Sequence, residues 1–377
     1  MAPHLHRRPR PPSRGRGMIC IRCQNDSKAR ERSNKRCPSC HGEFAFDRGD
    51  AFTDRAFQSA VDSVSAEGRI KWGVEHLHYE LCRRKRRRGT RTPMLMTVAI
   101  SLACVVIAIK AASWAFVLLA IAAAVAAFSW KWMLRKTVLV RKEEFEAIWS
   151  RWVSVHGEPK GRIVRRERPA KPRAAEADLG DYSFDRAVIC DRARTVDLLL
   201  ANNFHFENNC AVLSIAGYPL GPFETVRTML KRNPKLQVFA LHDASADGCR
   251  LAHRLAHDPA WFGGRVPVTD VGLRPAHREP FKGLFLPAGG GRIPPEDGIT
   301  PEEAAWLTSY TLELAAIRPE QVLKRLFRAI NRKDTEEVAT SAGADSGSSS
   351  GDSVVDYDSS SFGSDASDSD GGADSFG

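Results

Sequence analysis

Lysine and arginine are absent from residues 334–377 of this 377-residue chain. That stretch holds eleven acidic residues, which leaves 34 acids against all 56 Lys and Arg in residues 1–333, a net charge of +22. Rich in Ser, Gly and Asp, it has too little apolar surface to offset the entropy of folding, so the expectation is a disordered acidic tail over 334–377. An apolar h-region is absent from residues 1–17, which excludes a secretory signal there. What stands in its place is Arg- and Pro-rich and ends at Met18. It reads as a disordered basic arm, or as sequence upstream of a start at Met18. Disorder of the whole chain is excluded, because 43% of the residues are hydrophobic.

Of the nine cysteines, four form one pattern: Cys20 and Cys23, thirteen intervening residues, then Cys37 and Cys40. Each CxxC closes a tight knuckle with both sulfurs aimed at one centre, and two knuckles supply four thiolates to a tetrahedral structural zinc ion. Residues 18–48 are therefore expected to form a zinc ribbon. The segment has almost no apolar core, so the metal must supply its folding energy, about 10 kcal/mol or more. Two disulfides are the competing reading, and His41 is an alternative ligand beside Cys40. Zinc needs reduced thiols, which places this end in a reducing compartment. Cys82, Cys104, Cys190, Cys210 and Cys249 are scattered and read as apolar fillers.

One stretch argues against a fully soluble enzyme. From Met94 to Trp130 the only charge is Lys110. A single helix of that length would measure about 55 Å, against a bilayer core of about 30 Å. Divided near Lys110 it becomes a transmembrane hairpin over 93–132, with a single span at 112–132 and a buried core hairpin as the rivals. Basic runs at 83–88 and 131–142 flank it on both sides, and basic loops stay cytoplasmic. The expectation is an integral membrane protein with both soluble parts on the cytoplasmic side. Helical spacing in 52–92 (Phe57, Val61, Val64, Leu77, Leu81) suits a juxtamembrane region, and 133–157 repeats it with Phe145, Ile148 and Trp152. Residues 158–181 read as a linker.

Residues 182–333 alternate strand and helix. Strands are expected at 187–190, 211–215, 237–241 and 266–271, with helices at 192–203, 222–232 and 246–257. Residues 301–331 give two more helices, the second starting at Pro319. Strand–helix alternation implies an α/β domain with a parallel sheet, whose chemistry sits at the carboxyl ends of the strands. Asp191 follows the first strand, and Asp243 follows the third with Ser245 and Asp247 just beyond. Converging carboxylates there would bind a hard divalent cation. Each acid also fits a plainer role as helix cap or first-turn residue. His242, His253 and His257 suggest either a second metal site or a solvated face.

The order of these pieces resembles a Toprim domain, the metal-binding fold of topoisomerases, bacterial primases and some nucleases. The resemblance is nearest to the A subunit of type IIB topoisomerases and the meiotic double-strand-break proteins. It rests on Asp191, on Gly217, Tyr218 and Pro219, on Asp243, Asp247 and Gly248, and on Gly272 to Pro275, in order over about 90 residues. It implies that Asp191, Asp243 and Asp247 are the catalytic acids. It also implies Mg²⁺ held by Asp243, Ser245 and Asp247, beside the turns at Gly217–Pro219 and Gly248. Two departures stand out. Asp191 replaces the family's usual Glu, and Ser245 replaces the second Asp of its Asp-x-Asp pair. No winged helix with a nucleophilic tyrosine precedes the domain.

The sequence supports two functions. One is a membrane-anchored, Toprim-like protein that binds or cuts nucleic acid with Mg²⁺. The other is a non-catalytic membrane scaffold or regulator that recruits protein partners, the acidic tail among its contacts. On the first, Asp243→Ala abolishes activity and leaves folding nearly intact.

Overall fold

The structure, a computed structural model, describes residues 17–47, 49–87, 140–164 and 184–342, with four separate positions at 121, 122, 125 and 129. The chain begins with a minimal ribbon. Strand β1 (Met18–Ile19) pairs antiparallel with β2 (Asp26–Ser27). Its own core is only Met18, Cys20, Cys37 and Phe44. Two-residue strands and four buried side chains are too little to hold a fold, so the sulfur cluster must carry it.

The ribbon's exit is bolted to the first helix. Ala45 and Phe46 donate their backbone N–H groups to the Asp54 carboxylate at 3.0 and 2.9 Å. Asp54 opens helix α1 (Asp54–Val64), which Thr53 caps by accepting from the Ala56 N–H. A second helix, α2, spans 74–87, and α3 (Lys142–His156) brings His156 Nε2 to 2.6 Å from the same carboxylate. Phe57 of α1 stacks on Trp152 of α3 at 4.3 Å. Asp54 is 1% exposed. Asp54→Ala would strand two backbone donors and a buried ring nitrogen, and is expected to cost about 3 kcal/mol in urea unfolding. Asp54→Asn, which keeps an acceptor, should recover part of that loss.

Helix α2 lies against the rest of the molecule rather than leading away from it. Glu80, 2% exposed, binds Arg83 at 2.7 Å, Arg84 at 3.1 Å and Arg318 at 3.4 Å. Arg83 donates to the Ala316 carbonyl, Arg84 reaches Ser59 and Ser63 of α1, and Lys85 pairs with Glu144 of α3. The start of the basic run that reads as a cytoplasmic flank is thus spent on internal ion pairs. Beyond α3, Trp72 exchanges backbone hydrogen bonds with Gly161 and Ile163, so the first residues of the expected linker are packed too.

The membrane assignment is corrected. Among the described residues no helix is long and apolar enough to cross a membrane. The transmembrane hairpin and the integral-membrane placement therefore find no support. Apart from Ile121, Ala122, Val125 and Ser129, residues 93–132 lie outside the described residues.

From residue 184 the chain alternates. Strand β3 (Arg186–Cys190) leads to α4 (Ala193–Ala201) and the short α5 (Phe204–Glu207). Strand β4 (Cys210–Ser214) precedes α6 (Phe223–Arg232). Strand β5 (Gln237–Leu241) leads through α7 (Ala246–Cys249) and α8 (Leu251–His257) to β6 (Val268–Asp270). The four strands are parallel in the order β4-β3-β5-β6. Their side chains divide with period two. Val188, Cys190, Val212, Phe239 and Leu241 join the apolar cluster that also holds Phe57, Leu77 and Trp152. Ala187, Ile189, Leu213, Val238 and Ala240 face Phe223, Leu230, Leu251 and Leu255. Both faces are covered, as a parallel sheet requires.

The remainder closes the carboxyl edge. Strand β7 (Leu286–Pro287) pairs with β8 (Tyr310–Thr311) after α9 (Pro301–Ser309), whose start carries a Thr300–Glu303 capping box. Ala244 and Leu312 exchange backbone hydrogen bonds at 2.8 and 3.0 Å, which carries residues 313–315 onto the end of β5. The final helix, α10 (Pro319–Ala342), buries Val322, Leu326 and Ile330 in the first cluster. It runs nine residues into the segment read as tail; residues 343–377 lie outside the described residues.

Candidate functional site

Asp191 leaves β3 and Asp243 leaves β5, adjacent strands between which the connectivity reverses. In open parallel sheets that crevice is where ligands bind. The two acids meet there: the Asp243 N–H donates to Asp191 Oδ2 at 3.0 Å.

Their surroundings differ. Asp243 is 3% exposed, and both of its oxygens are taken. Oδ1 accepts the Leu314 N–H at 2.6 Å. Oδ2 accepts Arg192 Nε at 3.3 Å and Arg194 Nη2 at 3.2 Å. Arg194 also pairs with Glu313 at 3.0 Å, and Glu313 accepts the buried Tyr79 hydroxyl of α2 at 3.0 Å. Two guanidinium groups and a backbone amide thus engage both oxygens of the carboxylate expected to hold a cation.

Asp191 is under-satisfied. Its Oδ1 is buried with no hydrogen-bond partner. Burial, and then the charge of Asp243, push its pKa up to about 6. The folded value lies above the ordinary 3.8, so the cost to the fold is absent below pH 3.8, grows as pH rises from there and is complete above about 6. Asp191→Asn keeps an acceptor for the Asp243 N–H and removes the charge. It is expected to stabilise the protein on the order of 1–2 kcal/mol at pH 8, and the gain should vanish near pH 4 in denaturant titrations.

The other expected members do not join this pair. Ser245 caps α7, its hydroxyl accepting the Gly248 N–H at 3.1 Å. Asp247 is exposed in the first turn of that four-residue helix. Gly248 is required by packing, since a Cβ there would sit 2.2 Å from the Asp243 carbonyl oxygen. Gly217 has a φ of +84°, and the Tyr218–Pro219 peptide is cis. The Tyr218 hydroxyl donates to Asp197 Oδ1 of α4 at 2.5 Å, and its carbonyl accepts from the Ser214 N–H, closing the end of β4. Among the described residues no group of three or more acids has metal-holding geometry, so Mg²⁺ at Asp243, Ser245 and Asp247 is unsupported.

A second buried network adjoins the first and was not anticipated. His242, fully buried, sets Nε2 2.9 Å from Asp270 Oδ1 and Nδ1 2.8 Å from the Asp243 carbonyl oxygen. Both partners are acceptors, so both ring nitrogens carry protons. Burial opposes that charge, but Asp270 outweighs it and raises the histidine pKa. Burial would likewise raise Asp270, yet His242 and Arg274 hold its carboxyl well below the usual range. Arg274 bonds Asp270 at 2.7 Å and Glu303 at 3.1 Å. His253 and His257 stack at 4.1 Å and belong to no metal-holding group among the described residues.

A cavity of about 410 Å³ opens on the same edge. Gly73 and His76 of the α2 approach form one wall, Arg192 and Arg194 a second, and Glu313 and Leu314 a third. It is composite, built from a segment read as juxtamembrane and from the α/β body. Sequence alone did not place those two together.

Near the start of the described chain Cys20, Cys23, Cys37 and Cys40 converge. Their sulfurs all lie within 4.8 Å of one another, with Cys20–Cys40 and Cys23–Cys37 at 3.6 Å. Four sulfurs at about 2.3 Å from a central zinc ion stand about 3.8 Å apart, whereas a disulfide requires about 2.05 Å. The cluster fits a metal ion, and all four cysteines are free. His41 is not part of the cluster.

No family model, no curated protein and no solved structure matches this chain.

Proposed function

We propose that this chain is a non-catalytic scaffold that associates with nucleic acid. In this reading the sheet is a Toprim-like body whose metal chemistry has been replaced by ion pairs. The observation that carries it is the engaged carboxylate of Asp243, both of whose oxygens are held, by Arg192, Arg194 and the Leu314 N–H. Both oxygens of this carboxylate are engaged and two guanidinium groups stand against it, which disfavours a divalent cation there, and Asp247 is exposed in the first turn of α7. The ribbon holds structural zinc through Cys20, Cys23, Cys37 and Cys40. Because Ala45 and Phe46 are fastened to Asp54, the ribbon is presented at a fixed place on the body. The net charge of +22 on residues 1–333 supplies contacts to phosphate, which are sensitive to salt.

The test uses full-length, zinc-loaded protein with labelled single- and double-stranded DNA and RNA. Binding is expected to weaken steeply with salt, and no strand should be cut with Mg²⁺ or Mn²⁺. Metal-dependent cleavage that disappears in Asp243→Asn would restore the catalytic reading. Absence of any binding at low salt would remove nucleic acid as the partner.

A further inference from the structure

We infer that Cys23 and Cys40 form an oxidation site at which a hydroperoxide converts the four-thiolate centre into two disulfides that join the knuckles crosswise. The inference rests on the four-cysteine site holding zinc.

The geometry separates the four sulfurs into two kinds. Cys20 and Cys37 are buried, at 3% and 0% exposure, whereas Cys23 and Cys40 are exposed. Each 3.6 Å contact joins one exposed sulfur to one buried sulfur of the other knuckle: Cys23 to Cys37, and Cys40 to Cys20. An oxidant arriving from solvent meets an exposed sulfur first. A sulfur of the opposite CxxC lies 3.6 Å from that point of attack.

The chemistry balances without any further co-reactant. An exposed thiolate attacks one peroxide oxygen, an S–O bond forms and the O–O bond breaks. The departing oxygen takes a proton to become water or an alcohol. Sulfur has lost two electrons and the peroxide has gained them. The buried thiolate 3.6 Å away then attacks that sulfur, the S–S bond forms, and the oxygen leaves as water after protonation. Each disulfide thus consumes two thiolates, one hydroperoxide and two protons. Once one pair is oxidised only two ligands remain, too few for a closed zinc site.

The chain carries its own controls. Cys190, Cys210 and Cys249 are at most 1% exposed. Burial raises the Cys190 thiol well above its ordinary value and pushes Cys210 and Cys249 up to about 12. Burial pushes the Cys23 thiol up to about 12 as well, so the contrast lies in access and in the zinc that would hold Cys23 and Cys40 as thiolates.

The experiment starts from full-length protein with its zinc content measured. Hydrogen peroxide is then added, with a chromophoric zinc indicator and peptide mapping by mass spectrometry. The expected result is release of the bound zinc, with Cys23–Cys37 and Cys20–Cys40 disulfides. Release should run at least about tenfold faster than modification of Cys190, Cys210 or Cys249. A dithiol and added zinc should restore the site. Disulfides within Cys20/Cys23 and Cys37/Cys40, or retained zinc while the buried thiols oxidise, would overturn the inference. Protein that takes up no zinc before oxidant is added would instead remove its premise, and the inference with it.

Discussion

Replacing Asp243 with alanine is expected to destabilise the α/β body by about 3–5 kcal/mol, with the same loss in metal-free and Mg²⁺-containing buffer. The carboxylate is 3% exposed and serves three donors. Without it the Leu314 N–H, bonded at 2.6 Å, loses its acceptor inside the protein, and Arg194 keeps its pair with Glu313. Arg192, half exposed, turns to water at little cost. Relief of repulsion on Asp191 offsets part of the loss. Asp243→Asn retains an acceptor for Leu314 and should lose less than half as much. The sequence alone leads one to expect an alanine variant that folds almost normally. The structure reverses that expectation because Asp243 fastens residues 313–315 and the start of α4 to the end of β5. Chemical denaturation of the three proteins in parallel measures the difference.

Removing the metal is expected to unfold the ribbon and leave the body intact. Residues 17–44 contribute only Met18, Cys20, Cys37 and Phe44 to a core of their own, while a bound structural zinc supplies on the order of 10 kcal/mol. Ala45 and Phe46 are held from the other side by Asp54, so the boundary of unfolding should fall near Phe44. Limited proteolysis with and without a chelator reads this directly. New cuts should fall within 17–44, with the segments from α1 onward remaining resistant. Cys37→Ser, which removes a fully buried ligand, should reproduce the chelated pattern without any chelator. A ribbon that stays protected after metal removal would show that its fold does not depend on the sulfur centre.

The strands of the sheet were legible because each is a short apolar run between turn residues, and a strand buried on both faces has no other signature. The cysteine pattern was legible because its spacing leaves one geometry for four sulfurs. Placement of α1, α2 and α3 was not. Phe57, Val61, Val64, Leu77 and Leu81 make the same apolar stripe whether it meets lipid or a sheet, and nothing local distinguishes the two. Arg83, Arg84 and Lys85 likewise look the same beside a bilayer as beside Glu80, Ser59 and Glu144. A clue to the fate of Asp243 did stand in the sequence. Arg192 and Arg194 open helix α4, where the helix dipole disfavours cations; the first turn holds no acid, and Asp191 just before it lies 3.8 Å from Arg192 alone. Two arginines at that position call for more than one anion, and the acid after β5 is one that the topology delivers. The extension of α10 to Ala342 was missed because acidic composition outweighed Glu336, Glu337 and Ala339, all of which tolerate a helix.

The central claim is that Asp243 holds arginine in place of a metal. Calorimetric titration of Mg²⁺ into full-length, zinc-loaded protein tests it most directly. The account predicts no saturable heat through the millimolar range, in the wild-type chain or in Asp243→Asn. One saturable Mg²⁺ site per chain, lost in a folded Asp243→Asn variant, would contradict it.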